Sequence, residues 1–117
     1  MTPEELRART KAFALRVVKL YRSLPRSADA QVMGKQLLRC GTSVAANYRA
    51  SCRARSRAEF AARIGIVVEE ADETGFWLEM LADAEIVRAA RLKDLLQESK
   101  ELTAIFAATR QSVRRHS

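Results

Sequence analysis

The fold is decided by residues 59–81, which read EFAARIGIVVEEADETGFWLEML. One row of positions recurs there at three- and four-residue spacing: Phe60, Ile64, Val67, Ala71, Thr74, Leu78 and Leu81. Because an α-helix turns by about 100° per residue, this spacing places the row on one face of a helix. Ser56 and Glu59 have the spacing of a capping box and mark the helix start. The stretch therefore predicts a long amphipathic helix that must bury its row against other helices.

Three similar rows lie on either side of this stretch. The first predicted helix begins at the capping box of Thr2 and Glu5 and ends before Pro25. The second begins near Ala28, and a short turn around residues 82–86 precedes the fourth. The row of the first helix is Leu6, Thr10, Phe13, Val17, Leu20 and Leu24. The row of the second is Met33, Leu37, Cys40, Val44 and Tyr48, and that of the fourth is Leu92, Leu95, Leu96, Ser99, Leu102, Phe106 and Val113. Four amphipathic helices with short connections predict an all-α fold, an antiparallel up-down four-helix bundle that forms a single domain.

The net charge of +7 is distributed unevenly along the 117 residues. Residues 1–58 hold 13 Lys and Arg against three acids, a net +10, whereas residues 59–117 hold eight against 11, a net −3. This polarity favours a polyanionic partner, or a basic half that docks on an acidic half within the fold or between subunits.

Composition and segment length indicate where the protein resides. No stretch approaches the ~20 apolar residues that span a membrane. Residues 1–19 carry charges throughout and lack the apolar run of a signal peptide. Cys40 and Cys52 lie roughly 18 Å apart if they share one helix, which is too far for a disulfide. We therefore expect a cytoplasmic protein with reduced thiols and no membrane partner.

Residues suited to catalysis or metal binding are scarce. The single histidine, His116, is the penultimate residue, so no Glu-x-x-His metal motif and no histidine-activated nucleophile exists. The acidic cluster at residues 69–73 fans around its helix, and most of its carboxylates cannot converge on one ion. No glycine-rich phosphate loop is present. We expect no enzymatic activity, no cofactor and no metal.

The second helix carries a one-sided basic stripe. Lys35, Arg39, Arg49 and Arg53 fall within an arc of roughly 80° opposite the apolar row, and no acid occurs between residues 30 and 58. The candidate nucleic-acid-binding residues are Lys35, Arg39, Arg49, Arg53, Arg55 and Arg57. Guanidinium groups match phosphate oxygens in pairs, whereas the lack of interleaved aromatic residues argues against base stacking. The alternatives are a solvated basic face and pairing with acids of another subunit.

The third helix has a second apolar face. Its candidate interface residues are Ile66, Glu73, Phe76, Trp77 and Met80. A helix with two apolar faces buries the second one against the periphery of its own bundle or against another subunit. An unpaired carboxylate would be costly on such a face, so Glu73 is expected to pair with Arg39, Arg49 or Asn47.

The sequence also resembles a known family. The similarity lies in LPR at residues 24–26, QLLRCGTSVAANYRA at 36–50, RARS at 53–56, IGIVVEEADET at 64–74 and FWLEML at 76–81, and it extends over roughly residues 12–110. These segments resemble the bacterial four-helix bundle protein family, which is related to 23S rRNA intervening-sequence proteins and to retroelement accessory proteins. Gly75 departs from the pattern, which has a larger apolar residue at this position. The glycine is expected either to loosen the interface or to permit closer helix approach.

The resemblance implies a ring-like homopentamer with a basic surface and an accessory protein that binds RNA or DNA. It also implies a protein partner such as a reverse transcriptase. The competing interpretation is a structural or protein-interaction hub, in which the basic helix docks on the acidic third helix or on a partner. Within the family pattern, the matching positions that would carry binding are Arg39, Arg49, Arg53 and Arg55.

Overall fold

The structure, a computed structural model, describes residues 1–116 and consists of four α-helices in that range. They are α1 (Pro3–Arg22), α2 (Ala28–Ser51), α3 (Arg57–Asp83) and α4 (Ala89–Arg115). Each helix packs against the next one along the chain, and α1 lies less closely against α4. The result is an elongated bundle of 47 × 21 × 19 Å. The predicted all-α four-helix bundle is confirmed.

Local side-chain chemistry defines the two helix starts that the sequence predicts. At α1 the Thr2 hydroxyl accepts the Glu5 N–H at 3.1 Å, and the Glu5 carboxylate accepts the Thr2 N–H at 3.3 Å. At α3 the Ser56 hydroxyl likewise accepts the Glu59 N–H at 3.0 Å. The Glu59 carboxylate, however, accepts the N–H of Arg55 at 3.0 Å rather than that of Ser56. The second capping box is therefore formed on one side only, because its carboxylate serves a donor one residue earlier.

The four predicted rows meet in one core. Its fully buried side chains include Phe13, Val17, Leu37, Ile64, Leu78, Leu102 and Phe106. Tyr48 on α2 and Phe106 on α4 pack with ring centroids 5.1 Å apart across the bundle. Burying one such side chain contributes roughly 1.5–3 kcal/mol, so the rows provide most of the stabilisation. Met33, Phe60 and Leu96 are only partly buried and border this core.

Gly41 and Gly75 lie at close helix contacts. A Cβ at Gly41 of α2 would lie 2.7 Å from a Val17 methyl group on α1. A Cβ at Gly75 of α3 would lie 2.9 Å from the hydroxyl oxygen of Ser99 on α4, which donates to the Ala71 carbonyl at 3.0 Å. Of the two expectations for Gly75, closer helix approach is therefore confirmed.

The two cysteines are free thiols in different surroundings. Cys40 is buried in α2 and its sulfur accepts a hydrogen bond from the Thr74 hydroxyl at 3.3 Å. Burial raises the pKa of the Cys40 thiol. Cys52 is exposed and caps the C-terminus of α2. Within residues 1–116, no helix combines the length and apolar character needed to cross a membrane.

Candidate functional site

The predicted basic stripe extends over three elements of the structure. We use "basic stripe" for Lys35, Arg39, Arg49, Arg53, Arg55 and Arg57, all of which are exposed. The first three lie on α2, Arg53 and Arg55 follow its C-terminal cap, and Arg57 opens α3. The stripe therefore ends at a helix junction, where the direction of the chain changes.

Arg39 is the member of the stripe whose charge is already balanced. Its guanidinium lies 3.1 Å from Glu70 and also pairs with Glu73, both on α3. The indole N–H of Trp77 donates to the same Glu73 carboxylate at 3.0 Å. The expected pairing of Glu73 is confirmed with Arg39 as the partner, whereas the Asn47 amide donates to Ser43 instead.

These contacts shift both titrations in the direction that favours the ion pair. The Trp77 hydrogen bond, followed by the Arg39 guanidinium, lowers the pKa of Glu73. The hydrogen bond to Glu73 raises the pKa of Arg39. Both side chains remain over one third exposed, so the pair contributes no more than about 1 kcal/mol. The donors of Arg39 are nevertheless engaged by carboxylates, and this leaves Arg39 less available to a phosphate than its neighbours in the stripe.

The remaining stripe residues differ in their contacts. The Arg57 guanidinium donates to the carbonyl of His116 beyond the end of α4. The side chains of Lys35, Arg49, Arg53 and Arg55 make no hydrogen bond or ion pair within residues 1–116. The charges of these four exposed cations along α2 and its C-terminal end are therefore not balanced by an ion pair within the described residues.

A groove between α1 and α2 continues this basic surface. It has a volume of about 590 Å³, and we call it the α1/α2 groove. Its lining residues are Glu4, Arg7, Ala8 and Lys11 from α1, and Thr42, Ala45, Ala46 and Arg49 from α2. The basic stripe predicted from the sequence follows α2 and therefore does not include Arg7 and Lys11, which lie on α1. Their four-residue spacing, which places both on one side of α1, is the signal that would have found them.

The second apolar face of α3 is partly open to solvent. We use "α3 outer face" for Ile66, Glu73, Phe76, Trp77 and Met80. Phe76 is 50% exposed and Ile66 38% exposed, whereas Trp77 is half-buried and packs against the core. The Phe76 and Trp77 rings meet edge to face at 4.9 Å. Trp77 thus belongs partly to the periphery of the bundle, and Phe76 is the aromatic ring of this face that is left to solvent.

The acidic cluster of α3 does not converge on one point. Glu70 and Glu73 turn towards Arg39, whereas Glu69 and Asp72 are exposed. Across residues 1–116, no three His, Cys, Asp or Glu side chains are grouped as a metal site would require. The chemistry that these faces offer is charge pairing and burial of apolar surface.

These features define a class of protein, a basic all-α four-helix bundle with one cationic side and one acidic, partly apolar helix face. The chain belongs to the 23S rRNA-intervening sequence protein family, whose model matches residues 4–108. The resemblance read from the sequence is thereby confirmed.

Comparison with solved structures gives the same fold. A crystal structure from Bacteroides thetaiotaomicron, described as a protein of unknown function from the S23 ribosomal protein family, superposes with a TM-score of 0.87. Its sequence is 33% identical, and the match covers 95% of this chain and 99% of that chain. No curated protein matches the chain.

Proposed function

We propose that this protein is a non-enzymatic, cytoplasmic accessory factor that binds RNA or DNA through the phosphate backbone. The observation that carries the proposal is the set of four exposed cations without acidic partners, Lys35, Arg49, Arg53 and Arg55. Each contact with a phosphate releases condensed counterions, so such a surface gains affinity for a polyanion at low salt.

The chemistry of the stripe favours recognition that tolerates sequence variation. Phosphate contacts position a protein on nucleic acid but carry no sequence information. Reading of unpaired bases depends on aromatic platforms, and the aromatic residue within this stretch, Tyr48, is buried in the core. The proposal is therefore a backbone binder without strong base preference.

The test is a binding titration against RNA, single-stranded DNA and duplex DNA over a salt series. Replacing Arg53 and Arg55 together with Ala should flatten the log–log salt dependence by about two units, since each contact contributes roughly 0.7–0.9. The matched control replaces Lys93 and Lys100, two exposed cations of α4, and removes the same charge. Absence of binding by the unaltered protein at ~50 mM salt, or equal losses in both variants, would overturn the proposal.

Self-association is the second part of the proposal, with a homopentamer as the favoured stoichiometry. It is supported by the exposure of Phe76 and Ile66 on a face where Glu73 and Trp77 are already paired with each other. Repeating the basic stripe around a ring would multiply weak phosphate contacts into avidity.

The alternative is an interaction hub whose basic helix docks on the acidic α3 of a neighbour or on a protein such as a reverse transcriptase. Arg39 bears on this alternative, because it already pairs with Glu70 and Glu73 of its own chain. Two acids of α3 are thus engaged within the protomer, and this weakens the argument for docking between subunits through the same groups.

A further inference from the structure

Two cations on α1 have no role in the function proposed above. Arg7 and Lys11 are exposed, and neither side chain makes a hydrogen bond or ion pair within residues 1–116. Because α1 and α2 run in opposite directions, the N-terminal half of α1 lies beside the C-terminal half of α2. Arg7 and Lys11 therefore face Arg49 across the α1/α2 groove.

The shape of the groove depends on small side chains. Ala8 on α1 and Ala45 and Ala46 on α2 line it without filling it, so the space between the helices stays open. The Thr42 hydroxyl donates back to the Leu38 carbonyl at 2.7 Å, so its hydrogen is already engaged. The charges on the lining are three cations and one acid, Glu4. This balance of charge on the lining favours an anionic occupant.

We propose that the α1/α2 groove seats one sugar–phosphate strand of a double-stranded nucleic acid, with Arg7, Lys11 and Arg49 as its phosphate contacts. The proposal rests on the proposed function and assigns it a ligand class and a second helix. Arg49 connects the two surfaces, because it lines the groove and also belongs to the basic stripe. A strand leaving the groove past Arg49 would next meet Arg53.

The lining of the groove favours a duplex over a single strand. A single strand has unpaired bases, and proteins hold these on aromatic rings. No aromatic residue lines the groove. A duplex stacks its own bases and presents the phosphate backbone as an outer ridge, so it requires only cations and a cleft of suitable width.

The experiment compares the unaltered protein, a groove variant and a control variant. For each, it measures the affinity for one nucleotide sequence as a duplex and as a single strand. The groove variant is Arg7→Gln with Lys11→Gln, and its control is Arg16→Gln with Lys19→Gln. The control lies on the same helix, is also exposed, removes the same charge and lies outside the groove. The groove variant should lower duplex affinity roughly tenfold or more at ~50 mM salt and flatten the duplex salt dependence by about two units. The control should change both much less.

A neutral variant separates shape from charge. Ala46→Leu narrows the groove at an exposed helical position without altering any charge. Duplex affinity should fall while the slope of the salt dependence stays unchanged. An unchanged affinity, with helix content intact, would show that the groove is not occupied.

The outcomes distinguish this proposal from the function on which it rests. If the unaltered protein binds neither form of nucleic acid at low salt, the proposed function fails and the groove assignment fails with it. If it binds and the groove variant matches the Arg16 and Lys19 control, only the groove assignment is overturned. Equal losses for duplex and single strand in the groove variant would contradict the selectivity for duplex.

Discussion

Glu73 is the residue at which the charge and the apolar surface of α3 meet. Its carboxylate accepts the Trp77 indole N–H at 3.0 Å and pairs with the Arg39 guanidinium of α2. Both interactions favour the ionised carboxylate, and both therefore lower the pKa of Glu73. The protonation state of this one side chain consequently controls a hydrogen bond to a fluorescent ring.

Trp77 fluorescence should report the titration of Glu73 directly, because Trp77 is the single tryptophan. Emission should change in a step whose midpoint lies below the ordinary glutamate value of 4.5. The contribution of Glu73 to stability is complete above that ordinary value and is lost as the pH falls through the lowered pKa. Glu73→Gln should remove the step, and Glu69→Gln should leave it.

The fluorescence is read where far-ultraviolet circular dichroism shows the helices intact. A midpoint at or above 4.5 would contradict the ion pair and the hydrogen bond. Persistence of the step in Glu73→Gln would assign it to another group.

For Glu73, the sequence predicts that the carboxylate has a partner but does not predict which residue the partner is. A carboxylate on an apolar helix face predicts that a partner exists, because leaving it unpaired is costly. Arg39, Arg49 and Asn47 all remained candidates, since the choice depends on how far α2 is shifted along α3. The packed helices bring Arg39 to Glu73, and Asn47 turns back to Ser43 of its own helix.

At the scale of the element, helix ends and buried rows were predictable because both depend on local spacing. The Thr2 and Glu5 cap needs only partners three positions apart in the sequence, and the start of α2 at Ala28 agrees with the prediction. The α1/α2 groove was not predictable in this way. Its cations come from two helices, and they lie close together because of how these helices pack. The spacing of residues within one helix does not predict that packing.

Glycine substitutions test how tightly these elements pack. Gly41→Ala should destabilise the protein by about 1–3 kcal/mol, because the new Cβ would lie 2.7–3.0 Å from three atoms of the buried Val17 side chain. Gly65→Ala is the matched control on α3, where the nearest atoms belong to Arg110 at 3.9 Å. There the better helix propensity of alanine should stabilise the protein by about 1 kcal/mol. Urea denaturation of the two variants measures both effects, and changes of equal sign would contradict the close contact.

At the scale of the whole molecule, ion pairs of Arg9 and Arg39 join the basic and acidic halves of the chain. Arg39 of α2 pairs with Glu70 and Glu73 of α3. Arg9 of α1 pairs with Glu98 at 2.7 Å and Glu101 at 3.1 Å, both on α4. The hydrogen bond to Glu98 raises the pKa of Arg9. Part of the charge polarity is thus satisfied within the fold, whereas Lys35, Arg49, Arg53 and Arg55 of the basic half make no ion pair within residues 1–116.

Releasing Arg39 should strengthen binding of nucleic acid. Glu70→Gln with Glu73→Gln removes both of its acidic partners, so the affinity should rise and the salt dependence should steepen by about one unit. Glu98→Gln with Glu101→Gln makes the same change in net charge on the α1/α4 side and releases Arg9 there. An equal gain in the two variants would indicate an effect of net charge alone. A larger gain in the α3 variant would place Arg39 in the binding surface.

Assembly of the molecule should depend on Phe76 more than on any other exposed apolar side chain. Phe76 is 50% exposed and its ring meets the Trp77 ring edge to face, so that its burial would extend an apolar patch. Trp77→Glu is a poor test of assembly, because Trp77 packs against the core and its indole N–H donates to the Glu73 carboxylate. Phe76→Glu instead adds a charge at the exposed rim and should reduce the molar mass measured by light scattering without unfolding the helices.

Leu15→Glu provides the control for that experiment. Leu15 is more exposed, at 59%, but it lies on α1, which packs against α2 and α4 and not against α3. Because single exposed apolar residues are ordinary on protein surfaces, its substitution should leave the mass unchanged. A monomeric unaltered protein at concentrations on the order of tens of micromolar would refute self-association. Dissociation by both variants alike would show that added negative charge, rather than loss of the Phe76 contact, separates the subunits.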